Sequence, residues 1–375
     1  MEITATLDAA TLTRALAHVS RTVARATTIP ILTMVRVEME PGAIVMTANN
    51  LDMELRLRVP ADTAGEGAIC VAARGLQDIA SRIDAAAAVT LSWADDPSRM
   101  GIRAGRGRYV LPTAHAADFP DLAPGEAQAR FGLPAARLAE MLAAVSYAMS
   151  AEESRYYLCG AYMHAARRDD ADMLRLVAVD GHKLSMIDTP APNGCIDMPG
   201  MIIPSRTVGE ITRLCRAFDG EARIAASETH VAVEIGDVRL TSKLIDGTYP
   251  DYERKIPRDN RRRATIDAAE MSAAVGRAGA VLAAGHSGVR FAFESDRLVL
   301  SAQDGRGAEA REEIEVDYGA DPIEIGLNAT FVVDTLAALG GDRVTMSMAD
   351  AGTAVVLERG HASPERLALI MPMRV

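Results

Sequence analysis

The sequence predicts an α+β protein made of one module written three times, each copy two helices packed on antiparallel sheet. Three observations carry this expectation. TLDAATLTRALAHV (6–19) returns as GLPAARLAEMLAAV (132–145) and as TIDAAEMSAAVGRA (265–278), so that Leu7, Leu133 and Ile266 correspond. ICVAARGLQDIASRI (69–83) returns as IIPSRTVGEITRLC (202–215) and GLNATFVVDTLAAL (326–339), with Arg74, Arg206 and Thr330 aligned. Phe119-Pro120-Asp121 returns as Tyr249-Pro250-Asp251, and Pro372 holds a comparable place in the last copy. The anchors keep one order at intervals of about 130 residues, which chance similarity among alanine-rich helices would not supply.

In the first anchor a short strand meets a turn or cap residue, Asp8, Pro134 or Asp267, and then a helix. Apolar residues fall at helical spacing there, Leu12 with Leu16, and Leu138 with Met141, Leu142 and Val145. Asp267 and Glu270 stand as a capping pair. In the second anchor a strand again runs into a helix, with Ser205 and Asn328 as expected N-caps and Gly220 and Gly340 as expected stops. Between the helices the pattern has period two, as half-buried strands require. Val35, Val37 and Met39 alternate with Arg36, Glu38 and Glu40, and Leu55, Leu57 and Val59 alternate with Arg56 and Arg58. Val231, Val233 and Ile235 repeat this, as do Ile314 with Val316, and Val344, Met346 and Met348. The linkers PGEAQ (124–128) and PRDNRRR (257–263) divide the chain into modules 1–127, 128–259 and 260–375.

Composition agrees with a globular chain. At 375 residues it exceeds what one hydrophobic core organises. Hydrophobic residues make up 49% and charged residues 24%, and no apolar run is long enough to cross a bilayer, so no membrane partner is expected. The first residues lack the basic start and apolar middle of a signal peptide, which predicts a cytoplasmic protein. Cys70, Cys159, Cys195 and Cys215 stand far apart with no CxxC, so reduced thiols are expected and neither a metal site nor a cofactor. A net charge of −11 argues against generic nucleic-acid binding, but leaves room for positive charge confined to one surface.

Three modules together with RYYLCG (155–160), DGHKL (180–184), LTSKLIDGTYPDYERKIP (240–257) and MPMRV (371–375) resemble the bacterial DNA polymerase III beta subunit, the sliding clamp family, over the whole chain. The resemblance implies a head-to-tail homodimer, a ring closed around double-stranded DNA without sequence readout. It also implies a non-enzymatic role, conferring processivity on the replicative DNA polymerase. Further implied partners are the clamp loader and the repair and translesion polymerases. A clamp paralogue dedicated to a specialised replicon or repair polymerase is the alternative.

The resemblance places a partner-peptide pocket at Leu158, Val179, Gly181, His182, Lys183 and Leu184, at Pro250, Arg254 and Lys255, and at Leu369, Ile370, Met371, Pro372, Met373 and Arg374. Apolar walls with flexible thioethers suit a groove that accepts Leu- or Phe-bearing peptides. The family commonly has arginine at Lys183, an apolar residue at Lys255 and asparagine at Cys159, so compact ammonium groups are expected on this rim and a thiol beside it. The DNA-facing set is Arg14, Arg21 and Arg25, Arg74 and Arg82, Arg206, Arg213 and Arg216, whose spacing predicts helix stripes, with Tyr157 offered for base stacking. The dimer seam is expected at Tyr109 and at Ala280, Val281 and Leu282, and the small, weakly charged segment AAGHS (283–287) predicts a looser or more apolar seam. A competing reading takes Asp180 and His182 as a general acid/base pair. No nucleophile accompanies them, and Asp-Gly reads first as a tight turn.

Overall fold

The computed structural model describes residues 2–24, 27–94, 98–123, 125–283, 287–359 and 365–374. Among them lie six α-helices: α1 (Ala9–Val19), α2 (Ala73–Ala80), α3 (Ala135–Ser146), α4 (Ser205–Arg216), α5 (Ala268–Gly279) and α6 (Ala329–Leu339). Each follows directly on a strand, at Ile3–Asp8, Gly67–Ala72, Ala129–Pro134, Met201–Pro204, Arg262–Asp267 and Ile323–Asn328. Side-chain oxygens end the strands and start three of the helices. Asp8 accepts from the Thr11 amide, Asp267 from the Glu270 amide and Asn328 from the Phe331 amide, each filling one orphan donor of a first turn.

One expected helix end is corrected. Gly340 does close α6, at φ 62°, but α4 stops at Arg216, and Gly220 lies further on beside the strand Glu221–Ala226. The arginine stripes are also shorter than their spacing suggests. Helix α1 ends at Val19 and α2 at Ala80, so Arg21 and Arg82 lie in the turns beyond, where Ser20 and Ser81 serve as C-caps.

One strand plan occurs three times. A first set of four runs in the order Ile3–Asp8, Ala88–Trp93, Arg99–Ala104, Gly107–His115, and recurs as Ala129–Pro134, Glu221–Ala226, His230–Ile235, Val238–Lys243. Its third occurrence is Arg262–Asp267, Arg343–Met348, Val355–Arg359, Arg366–Ile370. A second set runs Gly67–Ala72, Met34–Glu40, Ala43–Asn49, Met53–Pro60, and recurs as Met201–Pro204, Gly160–Arg168, Ala171–Val179, Lys183–Pro190. Its last occurrence is Ile323–Asn328, Gly288–Glu294, Arg297–Gln303, Glu309–Glu315. All of these pairings are antiparallel, and 34–40 shows the expected alternation, with Val35, Val37 and Met39 buried.

The chain forms two compact units, residues 1–135 with 214–244, and 136–213 with 245–375. They cut across the order of the repeats because sheets continue from one repeat into the next. In the first unit strand 238–243 pairs with 53–60, Leu240 opposite Leu55, to give one thirteen-stranded sheet. In the second, strand 183–190 pairs with 366–370, Leu184 opposite Leu369, to give an eight-stranded sheet, and a four-stranded sheet stands beside it. One core of the second unit packs α5 and α6 around Phe291, Phe293, Tyr318 and Met346.

Leu240 is fully buried at the continuation in the first unit, so Leu240→Ala is expected to cost about 2–5 kcal/mol, read as a lower midpoint in urea unfolding.

Candidate functional site

The hairpin joining 171–179 to 183–190 turns at Asp180-Gly181-His182. Gly181 sits at φ 96°, in the left-handed region that favours glycine, and a Cβ there would press on the end of the Arg155 side chain, 2.6 Å from Nη1. The Asp180 carboxylate accepts from the amides of His182 at 2.8 Å and Lys183 at 2.9 Å. It also accepts from Lys183 Nζ at 2.5 Å. Asp180 is thus occupied in holding the turn and orients no imidazole, which removes the general acid/base reading.

Strand pairing brings the tail to this turn. Leu369 lies opposite Leu184, the Met371 amide donates to the His182 carbonyl at 2.8 Å, and the Met373 amide donates to the Gly326 carbonyl at 2.9 Å. Leu158, Leu184 and Leu369 are buried in one apolar cluster with Val177, Met186, Tyr249 and Tyr252, and Tyr157 and Val179 pack against it. Above this floor Met371 is 42% exposed and Met373 39%. Pro250, Arg254 and Lys255 are exposed beside it, and Arg254 pairs with Asp251 at 2.7 Å. The arrangement is an apolar floor with exposed, intrinsically flexible thioethers on the neighbouring tail, chemistry that takes up aliphatic and aromatic side chains.

Two expected pocket residues are placed otherwise. Ile370, next to Leu369, points to the opposite sheet face and belongs to the α5–α6 core, as strand alternation demands. Lys183, opposite Ile370, shares that face. It is 9% exposed, and its Nζ lies 4.3 Å from the Phe331 ring centre. Its charge is spent on Asp180 and an aromatic face, so it supplies no ammonium to the rim.

Residues that the sequence reading missed support the rim from below. Tyr162 stacks on Tyr249 with ring centres 4.7 Å apart and 10° between planes, and on His164 at 4.7 Å. His164 Nδ1 donates to the Ala165 carbonyl at 2.7 Å, which leaves Nε2 to accept the Tyr252 hydroxyl at 2.8 Å. Burial pushes that hydroxyl up to about 12, so it keeps its proton. The Tyr252 oxygen in turn accepts from Arg175 Nη1, whose guanidinium is held by buried Asp188 at 2.7 and 2.9 Å and by Glu253 at 2.7 Å. This network anchors segment 249–255, which bears Pro250, Arg254 and Lys255. Only the Tyr249-Pro250 anchor hinted at it in the sequence.

Of the DNA-facing set, Arg14, Arg21, Arg74, Arg82, Arg206 and Arg216 are exposed, and Arg25 lies outside the described residues. Arg14 donates to Thr11 at 3.0 Å, and Arg74 and Arg82 flank Asp78 at 3.9 and 3.5 Å. Arg213 is paired with buried Glu210, its Nε 3.1 Å from the carboxylate, so much of its charge is compensated. Tyr157 meets Tyr156 edge-on and packs against the apolar cluster of Leu158, Leu184 and Leu369. At the expected seam Tyr109 is 41% exposed with Val110 at 62%. Ala280 caps α5, and Val281 and Leu282 lean on the α5–α6 core. Residues 284–286 of the AAGHS segment lie outside the described residues.

Models of the DNA polymerase III beta subunit match the chain in series, the N-terminal domain at residues 3–123, the central domain at 132–251 and the C-terminal domain at 253–374. The beta sliding clamp of Caulobacter vibrioides (strain NA1000 / CB15N) is 35% identical over 371 residues, 99% of each chain. That of Escherichia coli K12 is 31% identical over 349 residues, 93% of each. Among solved structures, the DnaN sliding clamp of Bartonella birtlesii bound to griselimycin has a TM-score of 0.94 at 35% identity, with both chains fully covered. The Caulobacter crescentus beta sliding clamp gives 0.96 at 34%, covering 100% of this chain and 99% of that one. Fold and matches define a processivity clamp of bacterial replication, not an enzyme. The chain belongs to the DNA polymerase III beta subunit family, the beta sliding clamps.

Two outcomes are expected at this site. Burial holds the His164 imidazole below its ordinary 6.5, so as pH falls below that value the unfolded chain takes up the proton first. The stability contributed by neutral His164 is then complete above about pH 6.5 and lost on acidification. Unfolding midpoints measured across this window are expected to fall, and to fall less in His164→Gln. Cys70, Cys195 and Cys215 are buried, with thiols pushed up by burial, while Cys159 is the half-buried one. Iodoacetamide on the native protein is therefore expected to modify Cys159 first, and Cys159→Ser to abolish the fast phase seen by mass spectrometry.

Proposed function

We propose that two copies of this chain close head to tail into a ring around duplex DNA, and that the pocket beside the tail tethers short apolar peptides. Those peptides belong to the replicative polymerase, the clamp loader, and repair and translesion polymerases. The setting is the cytoplasm, where bacterial DNA lies. No helix among the described residues is long and apolar enough to cross a membrane.

The observation that carries the ring is a pairing absent from the series. Strand 238–243, last in its set, pairs with 53–60, last in its own; strand 366–370 pairs with 183–190 in the same way. The two remaining strands of these classes are 107–115 and 309–315. Among the described residues, 309–315 is an edge strand, and residues 107–112 are paired only to 99–104. Joining 107–115 of one copy to 309–315 of another completes the pattern, and repeated at both ends it removes the open edges.

Charge supports that match. Arg108 on 107–115 has Arg99, Arg103 and Arg106 on the neighbouring strand and turn, and 309–315 carries Glu309, Glu312, Glu313 and Glu315, of which Glu312 also meets Arg277 and Glu313 Arg297. Opposite fields of this kind steer and register a heterologous contact. The seam on this reading is ionic at its margins with Tyr109 and Val110 at its centre, more strongly charged than the 283–287 segment suggests. DNA is held by enclosure, and Arg14, Arg74, Arg206 and Arg216 meet phosphates loosely through water.

The test combines ring and pocket. Sedimentation at micromolar concentration is expected to give a dimer, and protein loaded on nicked circular DNA is expected to stay bound until the circle is linearised. A chain truncated after Ile370 keeps the core strand and is expected to stay dimeric while losing at least tenfold, about 1.4 kcal/mol, in affinity for a Leu- and Phe-bearing polymerase peptide. Only monomer in sedimentation, or unchanged peptide affinity in the truncated chain, would overturn the reading.

A further inference from the structure

A second concavity, of about 900 Å³, opens on the solvent face of the four-stranded sheet in the second unit. Its base is set by strand register. Arg290 lies opposite Ser301 on one side and Gly326 on the other, and Ser301 lies opposite Arg311. Two guanidiniums therefore share one row across the sheet, on the face away from Val289, Phe291 and Leu300, which fill the core. Leu282, Met373 and Arg374 complete the walls.

The charge in this groove is unbalanced. Arg290 reaches Glu324 at 3.4 Å, and Glu309 lines the same space. Among the described residues no carboxylate pairs with Arg311 or Arg374. The tail links this groove to the pocket proposed above. The tail leaves the pocket at Met371, and its Met373 amide is bonded to the carbonyl of Gly326, the residue opposite Arg290. Met373 and Arg374 line the groove.

We infer that this groove receives an acidic flank of the docking peptide, one or two Asp or Glu residues next to the apolar motif, with Arg290 and Arg311 as the residues that prefer them. The inference rests on the pocket reading above and adds a charge preference to it. Guanidinium forks suit carboxylates, and at an exposed site each pair adds modestly and in a salt-dependent way.

The full-length protein is titrated by fluorescence anisotropy with three peptides sharing one Leu- and Phe-bearing core: neutral flanks, two Asp at the N-terminal end, or two Asp at the C-terminal end. One acidic peptide is expected to bind about three- to tenfold tighter than the neutral one at low salt. That advantage is expected to shrink with added salt and to vanish in the Arg290→Gln/Arg311→Gln variant, which should bind the neutral peptide normally. Equal affinities for all three peptides would overturn the inference while leaving the pocket reading intact. Absence of binding by every peptide would overturn both. An advantage that survives in the double variant would overturn the assignment to these arginines. A double variant that is monomeric, or that loses DNA retention with its peptide series unchanged, would place them at the seam or against DNA and overturn it as well.

Discussion

The structure depends on one constraint: the N–H and C=O groups along a strand edge must find partners. Each repeat of this chain ends its two four-stranded sets with a strand that has one side unfilled. Within each compact unit the next repeat fills it, 53–60 by 238–243 and 183–190 by 366–370. Successive repeats are thereby joined by ladder hydrogen bonds and by the side chains packed across them, such as Leu240 against Leu55. A second copy of the chain is the natural partner for the strands that this rule leaves over.

The apolar pocket beside the tail is a consequence of the same joint. Because 183–190 must pair with 366–370, the turn at its start and the tail beyond its partner are delivered to one place. Alternation along the two strands then sorts their side chains. Leu184 and Leu369 go to the pocket floor, while Ile370 goes to the opposite core and Lys183 is covered by Phe331. The buried cation serves the joint: with Asp180 it ties the turn to α6, and breaking such a pair by removing one partner is far costlier than its net contribution. The pocket is therefore apolar at its base for a structural reason, and charge discrimination falls to residues further out.

Much of this was legible in the sequence, and what was not has a common cause. The strand-into-helix anchors were readable because capping and period-two alternation are local, and Asp8, Asp267 and Asn328 cap as expected. The pocket's segments were readable through resemblance. The fates of Lys183 and Ile370 were not, since they depend on which strand face meets α6. Nor was the stack of Tyr162, His164, Tyr249 and Tyr252, which gathers residues from separate segments around a buried Arg175–Asp188 pair. Arg21 and Arg82 kept helical spacing without a helix beneath them, because spacing records a period and not its extent. The division into compact units was hidden too, since sheet continuation across repeats leaves no mark of its own in composition.

The charge balance follows from the same design. A protein that held DNA by phosphate contact would need dense, uncompensated Lys and Arg, and its grip would oppose sliding. Here the chain carries −11 overall, and Arg213, Arg74 and Arg82 have acidic neighbours beside them. On the reading proposed above, such residues would offer weak, exchangeable contacts while the acidic remainder repels the duplex. Weak contact is an advantage only where something else prevents escape, and the proposed closure through sheet edges would supply it. The low positive charge that first argues against nucleic-acid binding is, for an enclosing protein, what allows movement along DNA.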